Sequence, residues 1–137
     1  MGRFSNSNYA FLHNLSFILI GSFMTKDQLI YIGSPYTHSD KIVMNNRYNS
    51  VLAITADLLN RGFHVISPIV HCHPLSIKYN LRGDFEFWKK YNFALLGKCD
   101  ILLIVPLNDW VKSVGLKAEI EFAQDNNIPV EVYDLVH

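Results

Sequence analysis

Short apolar runs alternate with longer segments of helical periodicity along the chain from residue 29 onward. The runs lie at Leu29–Ile32, Phe63–Ser67, Ile101–Val105 and Ile128–Tyr133, and their length and composition are typical of β-strands. The third run is continuously apolar, as expected for a strand that is covered on both faces of a sheet. Strands that recur about every 30–35 residues, with helices between them, predict βαβ units and a parallel sheet with right-handed crossovers.

The segments between these strands carry apolar residues at three- and four-residue steps, which predicts helices. The first helix carries this pattern from Tyr48 to Leu59, and Gly62 is expected as its C-terminal cap, because glycine is common just after a helix C-terminus. The second covers residues 85–96, with Asp84 as its N-cap. A third helix follows the third strand. Residues 69–83 are predicted to form an irregular loop.

The first 26 residues stand apart from this pattern. Their apolar run, Leu15–Ile20, is too short to span a bilayer, and no signal-peptide cleavage site follows it. Met24 precedes a natural start for the first strand. We expect residues 1–26 to be a peripheral extension or a non-native start, with a partner-contacting apolar helix or a targeting segment as alternatives. The α/β domain then spans residues 27–137.

The composition is that of a globular protein, with 137 residues of which half are apolar and 13% aromatic. Lys and Arg total 12 and Asp and Glu total 12, so the formal net charge is zero. That balance argues against a duplex nucleic-acid surface, which needs a basic face, but it permits a small anionic ligand. Cys72 and Cys99 cannot define a disulfide framework, which favours a cytoplasmic protein.

The ends of the predicted strands are the places to look for a site, because ligands of parallel sheets bind beyond the carboxyl ends of the strands. The first strand is followed by Gly33, Ser34, Pro35 and Tyr36. Glycine permits close approach of a ligand, and a serine hydroxyl can bond a phosphate or sugar oxygen. The segment matches neither a Walker loop nor a dinucleotide fingerprint, and an ordinary turn is the alternative.

Glu119 follows the third strand and falls early in the next predicted helix. The positive end of the helix dipole is expected to favour its ionised form, and an ionised carboxylate can attack the anomeric carbon of a sugar. The alternative is a solvated helix glutamate. Ser113, just upstream, can contact a ligand or act as a helix N-cap.

Polar and aromatic residues elsewhere add further candidates. Asn92 lies on an apolar helix stripe, so it must face a pocket or bond a loop backbone. His71 and His73 flank Cys72, but no further ligand set predicts a metal, and a loop-anchoring or substrate-contacting role is favoured. Trp110, like Tyr36 and Trp88, can stack on a base or pack in the core. 

Three ordered segments carry a resemblance to a known family. They are Tyr31-Ile-Gly-Ser34-Pro35-Tyr36, Ser67-Pro68-Ile-Val-His71-Cys-His73-Pro74, and Trp110-Val-Lys-Ser113-Val-Gly115-Leu-Lys-Ala-Glu119. Together they resemble the nucleoside 2-deoxyribosyltransferase superfamily, which includes the 2'-deoxynucleoside 5'-monophosphate N-glycosidases, and in particular a small branch of it. The likeness covers about residues 28–133, and each segment is weak when taken alone.

The resemblance implies a flavodoxin-like, Rossmann-like parallel sheet of four to five strands sandwiched by helices, in a homodimer or higher homo-oligomer. It implies that Glu119 attacks the anomeric carbon and that Tyr31 orients it. The remaining matched residues would bind substrate: Gly33, Ser34, Pro35, Tyr36, Ser67, Pro68, His71, Trp110, Ser113 and Gly115. No metal or organic cofactor is needed, because departure of the base activates the sugar carbon.

Two positions refine this expectation. Transferases of the superfamily carry an aspartate where this chain has Ser113, and the monophosphate hydrolases carry serine, which favours a nucleotide. An aspartate that helps the base depart is replaced by Asn92, and an amide cannot deliver a proton. Asp84 or Asp109 would have to substitute.

Three functions follow from the sequence. The leading one is cleavage or transfer of the N-glycosidic bond of a (deoxy)nucleoside or its 5'-monophosphate through a glycosyl-enzyme intermediate. A non-catalytic nucleotide-binding sensor is the alternative, favoured by Asn92, and release of nicotinamide from NAD is a weaker one. The expected partner is a small nucleoside or nucleotide, with neither duplex nucleic acid nor a membrane.

Overall fold

The computed structural model describes residues 18–20, 24–82 and 84–135, the first three by their backbone. Four α-helices and five strands form these ranges, with a 3-10 turn at Trp110–Lys112. The strands are β1 Ile18–Ile20, β2 Leu29–Gly33, β3 His64–Ile66, β4 Ile101–Ile104 and β5 Val130–Val132. The helices are α1 Lys41–Asn60, α2 Pro68–Tyr79, α3 Phe85–Leu96 and α4 Val114–Asp125.

All strand pairs are parallel, and the order across the sheet is β1-β5-β4-β2-β3. From β2 onward this is the arrangement of a flavodoxin-like sheet, which confirms the predicted α/β fold with four to five parallel strands. Ile18–Ile20 add the edge strand beside Val130–Val132. The proposed boundary after residue 26 stays a prediction.

Alternation along β2 decides which side chains meet which helices. Ile30 and Ile32 point to the face covered by α1, where they pack with Val51 and Leu58. Tyr31 points to the opposite face and packs with residues of α3 and α4. Because successive strand residues face opposite ways, a one-residue change of register would bury the wrong set. The alternation therefore places Tyr31 on the same side of the sheet as α4.

Each of the four helices begins at a side-chain cap. Asp40, Ser67, Asp84 and Ser113 accept hydrogen bonds from backbone N–H groups in the first turns of α1 to α4. The prediction for Asp84 is confirmed, with a distance of 2.8 Å from Phe87 N to its Oδ1. Such caps satisfy N–H groups that have no partner within the helix.

The end of α1 also agrees with its prediction. Gly62 follows the helix with φ +91°, a backbone conformation that glycine adopts without strain. The chain then turns directly into β3.

The prediction of an irregular loop over residues 69–83 is wrong, because Pro68–Tyr79 form the helix α2. Ser67 accepts a hydrogen bond from Val70 N at 3.2 Å, and Pro68 stands in the first turn, where its missing N–H costs nothing. Asn80 ends the helix in the left-handed conformation, with φ 50°. Pro74 lies inside this helix, and because proline is unfavourable in a helix interior, the segment does not have a typical helical sequence.

In the part of the chain that the structure describes, no helix is both long enough and apolar enough to cross a bilayer.

Candidate active site

A cavity of about 570 Å³ opens beyond the carboxyl ends of the central strands. β2 and β4 are neighbours in the sheet, and the chain leaves them toward opposite sides, which is where ligands of doubly wound sheets bind. Residues from β2, its following loop, and helices α2, α3 and α4 line the cavity. Eight sequence-predicted site residues are among them: Tyr31, Ser34, Tyr36, Pro68, Asn92, Ser113, Gly115 and Glu119.

Glu119 lies in the wall of this cavity on the sixth residue of α4 and is only 8% exposed. Burial raises the pKa of its carboxyl from 4.5 to about 8, and the nearby Tyr31 hydroxyl lowers it in part. From its position in the sequence, the helix dipole was expected to favour the ionised form of Glu119. That expectation is wrong for the ligand-free protein, because Glu119 lies beyond the first turn and desolvation outweighs the dipole.

Tyr31 is fully buried beside Glu119. Burial raises the pKa of Tyr31, and the Glu119 carboxyl raises it further. In return, the Tyr31 hydroxyl lowers the pKa of Glu119. The hydroxyl nevertheless stops short of a well-formed hydrogen bond, and its oxygen has no partner among the described residues. β2 thus holds the Tyr31 hydroxyl, a hydrogen-bond donor, near the Glu119 carboxyl, and no other described residue accepts its proton.

Three polar side-chain atoms of the cavity wall are buried and have no partner within the described ranges: Tyr31 Oη, Ser34 Oγ and Asn92 Oδ1. Such a group costs about 1–3 kcal/mol of stability, so proteins seldom keep several in one place. They come from β2, the loop after it, and α3, yet they border the same space. This arrangement is suited to a polar ligand that supplies the missing hydrogen bonds.

The loop that carries Ser34 and Tyr36 is anchored from two sides. Arg47 of α1 donates to the carbonyl oxygens of Tyr36 and Thr37 at 3.3 and 3.1 Å. The same guanidinium reaches the carbonyl of Asn108, in the loop after β4, at 3.4 Å. Arg47 therefore joins the two loops at the switch point and fixes this side of the cavity.

His73 is the other anchor. A loop-anchoring or substrate-contacting role was expected for both His71 and His73, whereas the resemblance implied a substrate contact only for His71. The Nδ1 of His73 shares a hydrogen bond with the Tyr36 hydroxyl, and its ring stacks on Tyr48 with centroids 4.1 Å apart. Burial lowers the pKa of His73. A helix that begins after the Ser67 cap turns His73 inward and His71 outward. The cap is therefore the sequence feature that predicts a buried His73.

The charged residues at the cavity favour an anion. Lys89 and Lys112 line it, and Glu119 is the single carboxylic acid among the described lining residues. Lys89 Nζ lies 5.6 and 5.8 Å from the ring centroids of Phe85 and Phe93. Lys112 is exposed and forms a 3.5 Å ion pair with Asp109.

Besides these lysines, the start of α4 offers backbone N–H groups that can bind an anion. Ser113 accepts from Leu116 N at 3.2 Å, so its hydroxyl proton is still available to a ligand. A Cβ on Gly115 would meet nothing within 4 Å, so the space in front of this turn is open. A helix N-terminus with such space suits a phosphate.

Five predicted residues lie outside the cavity lining: Gly33, Pro35, Ser67, His71 and Trp110. Ser67 caps α2, Trp110 packs in the core at 8% exposure, and His71 is exposed. Pro35 is buried within the loop that follows β2. Their assignment as substrate contacts stays a prediction, with the cap and the core contact as the roles that the geometry shows.

Gly33 does not line the cavity, but it affects the position of a residue that does. A Cβ at this position would stand 3.0 Å from Leu102 Cδ1 and from Leu116 Cδ1, and 3.9 Å from Glu119 Oε2. The missing side chain lets α4 approach the end of β2 closely. Gly33 thereby sets the distance between the strand and Glu119.

Neither aspartate suggested as a substitute acid lines the cavity. Asp84 accepts from Phe87 N and pairs with Arg82 at 2.8 Å, and these contacts lower its pKa. Asp109 is exposed and paired with Lys112. Apart from Glu119, the described lining residues therefore include no carboxylic acid that could replace the aspartate which the resembled family carries at the position of Asn92.

Within residues 24–82 and 84–135, no group of three or more His, Cys, Asp and Glu side chains is arranged to hold an ion.

The structure is that of an α/β protein with a cavity at the switch point of a parallel sheet. A comparison with protein families matches residues 28–135 to a family described as a domain of unknown function, DUF1937. The match covers most of the chain, and the protein belongs to this family. No curated protein is similar enough to count as a match.

Proposed function

We propose that this protein cleaves or transfers the N-glycosidic bond of a (deoxy)nucleoside 5'-monophosphate, with Glu119 as the nucleophile. The observation that carries the proposal is the position of Glu119, a buried carboxyl in the wall of a cavity whose other polar groups lack partners. A volume of about 570 Å³ is within the usual range for small-molecule sites.

A 5'-phosphate fits the charged groups of the cavity lining better than an uncharged ribose does. Lys89, Lys112, Ser113 and the first turn of α4 lie at the lining, and Glu119, the one carboxyl among the described lining residues, is mostly protonated at pH 7 in the ligand-free state. Phosphates bind well to helix N-termini and lysines. This supports the nucleotide over the free nucleoside, which remains the second substrate to test.

The chemistry requires the ionised form of Glu119. With a pKa of about 8, roughly a tenth of the molecules carry the carboxylate at pH 7 in the ligand-free state. Positive charge develops on the sugar as the base departs, and it stabilises the carboxylate where the bond forms. The Tyr31 hydroxyl is close enough to steady the carboxylate in the attacking orientation.

The test is release of free base from a panel of nucleosides and their 5'-monophosphates, measured by chromatography after overnight incubation. Glu119→Gln is expected to abolish release in a protein that remains folded by circular dichroism. Glu121→Gln is the matched control, because Glu121 is exposed on the same helix. Full activity in Glu119→Gln would refute the nucleophile. Release only in the presence of a second base would identify a transferase.

A nucleotide-binding protein without turnover is the second candidate, and Asn92 favours it. Its amide faces the cavity where a proton donor is needed for base departure. In that case a monophosphate raises the melting temperature of the wild type and of Glu119→Gln alike, and no base appears. Asn92→Asp is then the substitution expected to introduce slow base release, because it supplies a carboxylic acid at this position.

A further inference from the structure

Departure of the base requires a proton donor, and the residues assigned so far do not supply one. When the C–N bond breaks, the base nitrogen takes the electron pair and needs a proton to leave readily. Glu119 cannot supply it while it attacks as a carboxylate. Asn92 has no acidic proton, and neither Asp84 nor Asp109 lines the cavity.

The remaining proton-bearing groups of the lining can be compared by their contacts. Burial raises the pKa of the Cys72 thiol and makes it a poorer acid. Lys89 lies over two phenyl rings and Lys112 is paired with Asp109, and both are the cations that attract a phosphate. The Tyr36 hydroxyl differs from these groups, because it is hydrogen-bonded to a buried histidine.

We propose that Tyr36, backed by His73, is the acid that protonates the departing base and later the base that activates water. Both side chains line the cavity that contains Glu119. This inference rests on the proposed function, since it concerns the leaving group of the same reaction.

The surroundings of the pair suit this role. Burial raises the pKa of Tyr36, so a lone tyrosine here would give up its proton reluctantly. Burial lowers the pKa of His73, so its imidazolium passes a proton on readily. Stacking on Tyr48 fixes the His73 ring, and Arg47 fixes the backbone of Tyr36. The hydrogen bond between them is therefore held before a ligand arrives.

Protons are conserved over the two steps of the reaction, formation of the glycosyl-enzyme and its hydrolysis. In the first, the Glu119 carboxylate bonds to the anomeric carbon, the base leaves, its nitrogen takes the Tyr36 hydroxyl proton, and Tyr36 takes the Nδ1 proton of the His73 imidazolium. In the second, water attacks the anomeric carbon, the bond to Glu119 breaks, and the water proton returns through Tyr36 to His73. One residue serving first as acid and then as base is the rule for retaining glycoside hydrolysis.

The experiment compares nucleotides that differ only in how well the base departs. The unsubstituted substrate from the base-release panel is set against derivatives with electron-withdrawing groups: 5-fluoro and 5-nitro for a pyrimidine, or chloro for a purine. His73→Gln and Tyr36→Phe are expected to lower kcat/KM by about 10²–10⁴-fold on the unsubstituted nucleotide, and progressively less as the leaving group improves. Tyr36→Phe retains the ring, so it reports on the hydroxyl even if His73→Gln folds poorly.

His64→Gln is the matched control, the same substitution at an exposed histidine of β3 that does not line the cavity, and it is expected to retain wild-type kinetics. Glu119→Gln is expected to lose activity on every nucleotide, whatever its leaving group. Equal losses on all nucleotides in both His73→Gln and Tyr36→Phe would show a structural role and overturn the inference, as would no loss at all. If the wild type releases no base from any nucleotide, the proposed function itself fails and the inference falls with it.

Discussion

The burial of Glu119 makes a specific prediction about stability and pH. Its pKa rises from 4.5 to about 8 on folding, so the folded state holds a proton that the unfolded state releases between these values. Where the native state binds more protons, stability falls as pH rises. Glu119 therefore contributes stability that is fully present below about pH 4.5 and is lost as pH rises through about 8.

The size of the effect follows from the shift. About 3.5 pKa units at 1.36 kcal/mol each give about 5 kcal/mol between pH 4 and pH 9. This is an upper value, because water entering the open cavity would solvate the carboxylate. Glu119→Gln keeps the shape and polarity of the side chain but removes its titration, and every other ionisable group is common to both proteins.

The assay is urea unfolding of the wild type and Glu119→Gln at each pH from 4 to 9. The difference between their unfolding free energies is expected to shift against the wild type as pH rises, most steeply between pH 5 and 8. Glu121→Gln serves as control, because the exposed Glu121 should leave the wild-type profile unchanged. A constant difference between wild type and Glu119→Gln across the range would refute the reasoning that burial holds Glu119 protonated.

Two further predictions concern packing and ligand contacts. Gly33→Ala brings a methyl to 3.0 Å from two leucine side chains, so it is expected to cost about 1–3 kcal/mol and to shift α4. Gly115→Ala meets nothing and is expected to be neutral or slightly stabilising by urea unfolding; equal costs for both would contradict this. Ser34→Ala removes a buried hydroxyl that has no described partner, so the melting temperature should hold while nucleotide affinity, measured by calorimetry, falls about tenfold. A loss of stability with unchanged affinity would show that Ser34 serves the fold.

Much of the candidate site could be predicted from the sequence because parallel strands bring their carboxyl ends to one edge. Ser34 and Glu119 follow different strands, and topology alone places them near each other. Asn92 was recognisable as a polar residue on an apolar stripe, and the structure shows its oxygen buried at the cavity. His73 was expected beside His71 in a loop because an internal proline hid α2, although Ser67 and Pro68 carried a helix-start signal.

The sequence by itself determined the alternation of strands and helices, the helix caps and the face on which Tyr31 lies, because these depend on neighbouring residues and fixed periods. Only the tertiary structure decided how deeply Glu119 is buried, and hence that its carboxyl is protonated near neutrality. It also brought Tyr36 and His73 into one hydrogen bond from separate elements. Burial and such pairings arise from contacts between segments far apart in the chain, so no local pattern encodes them.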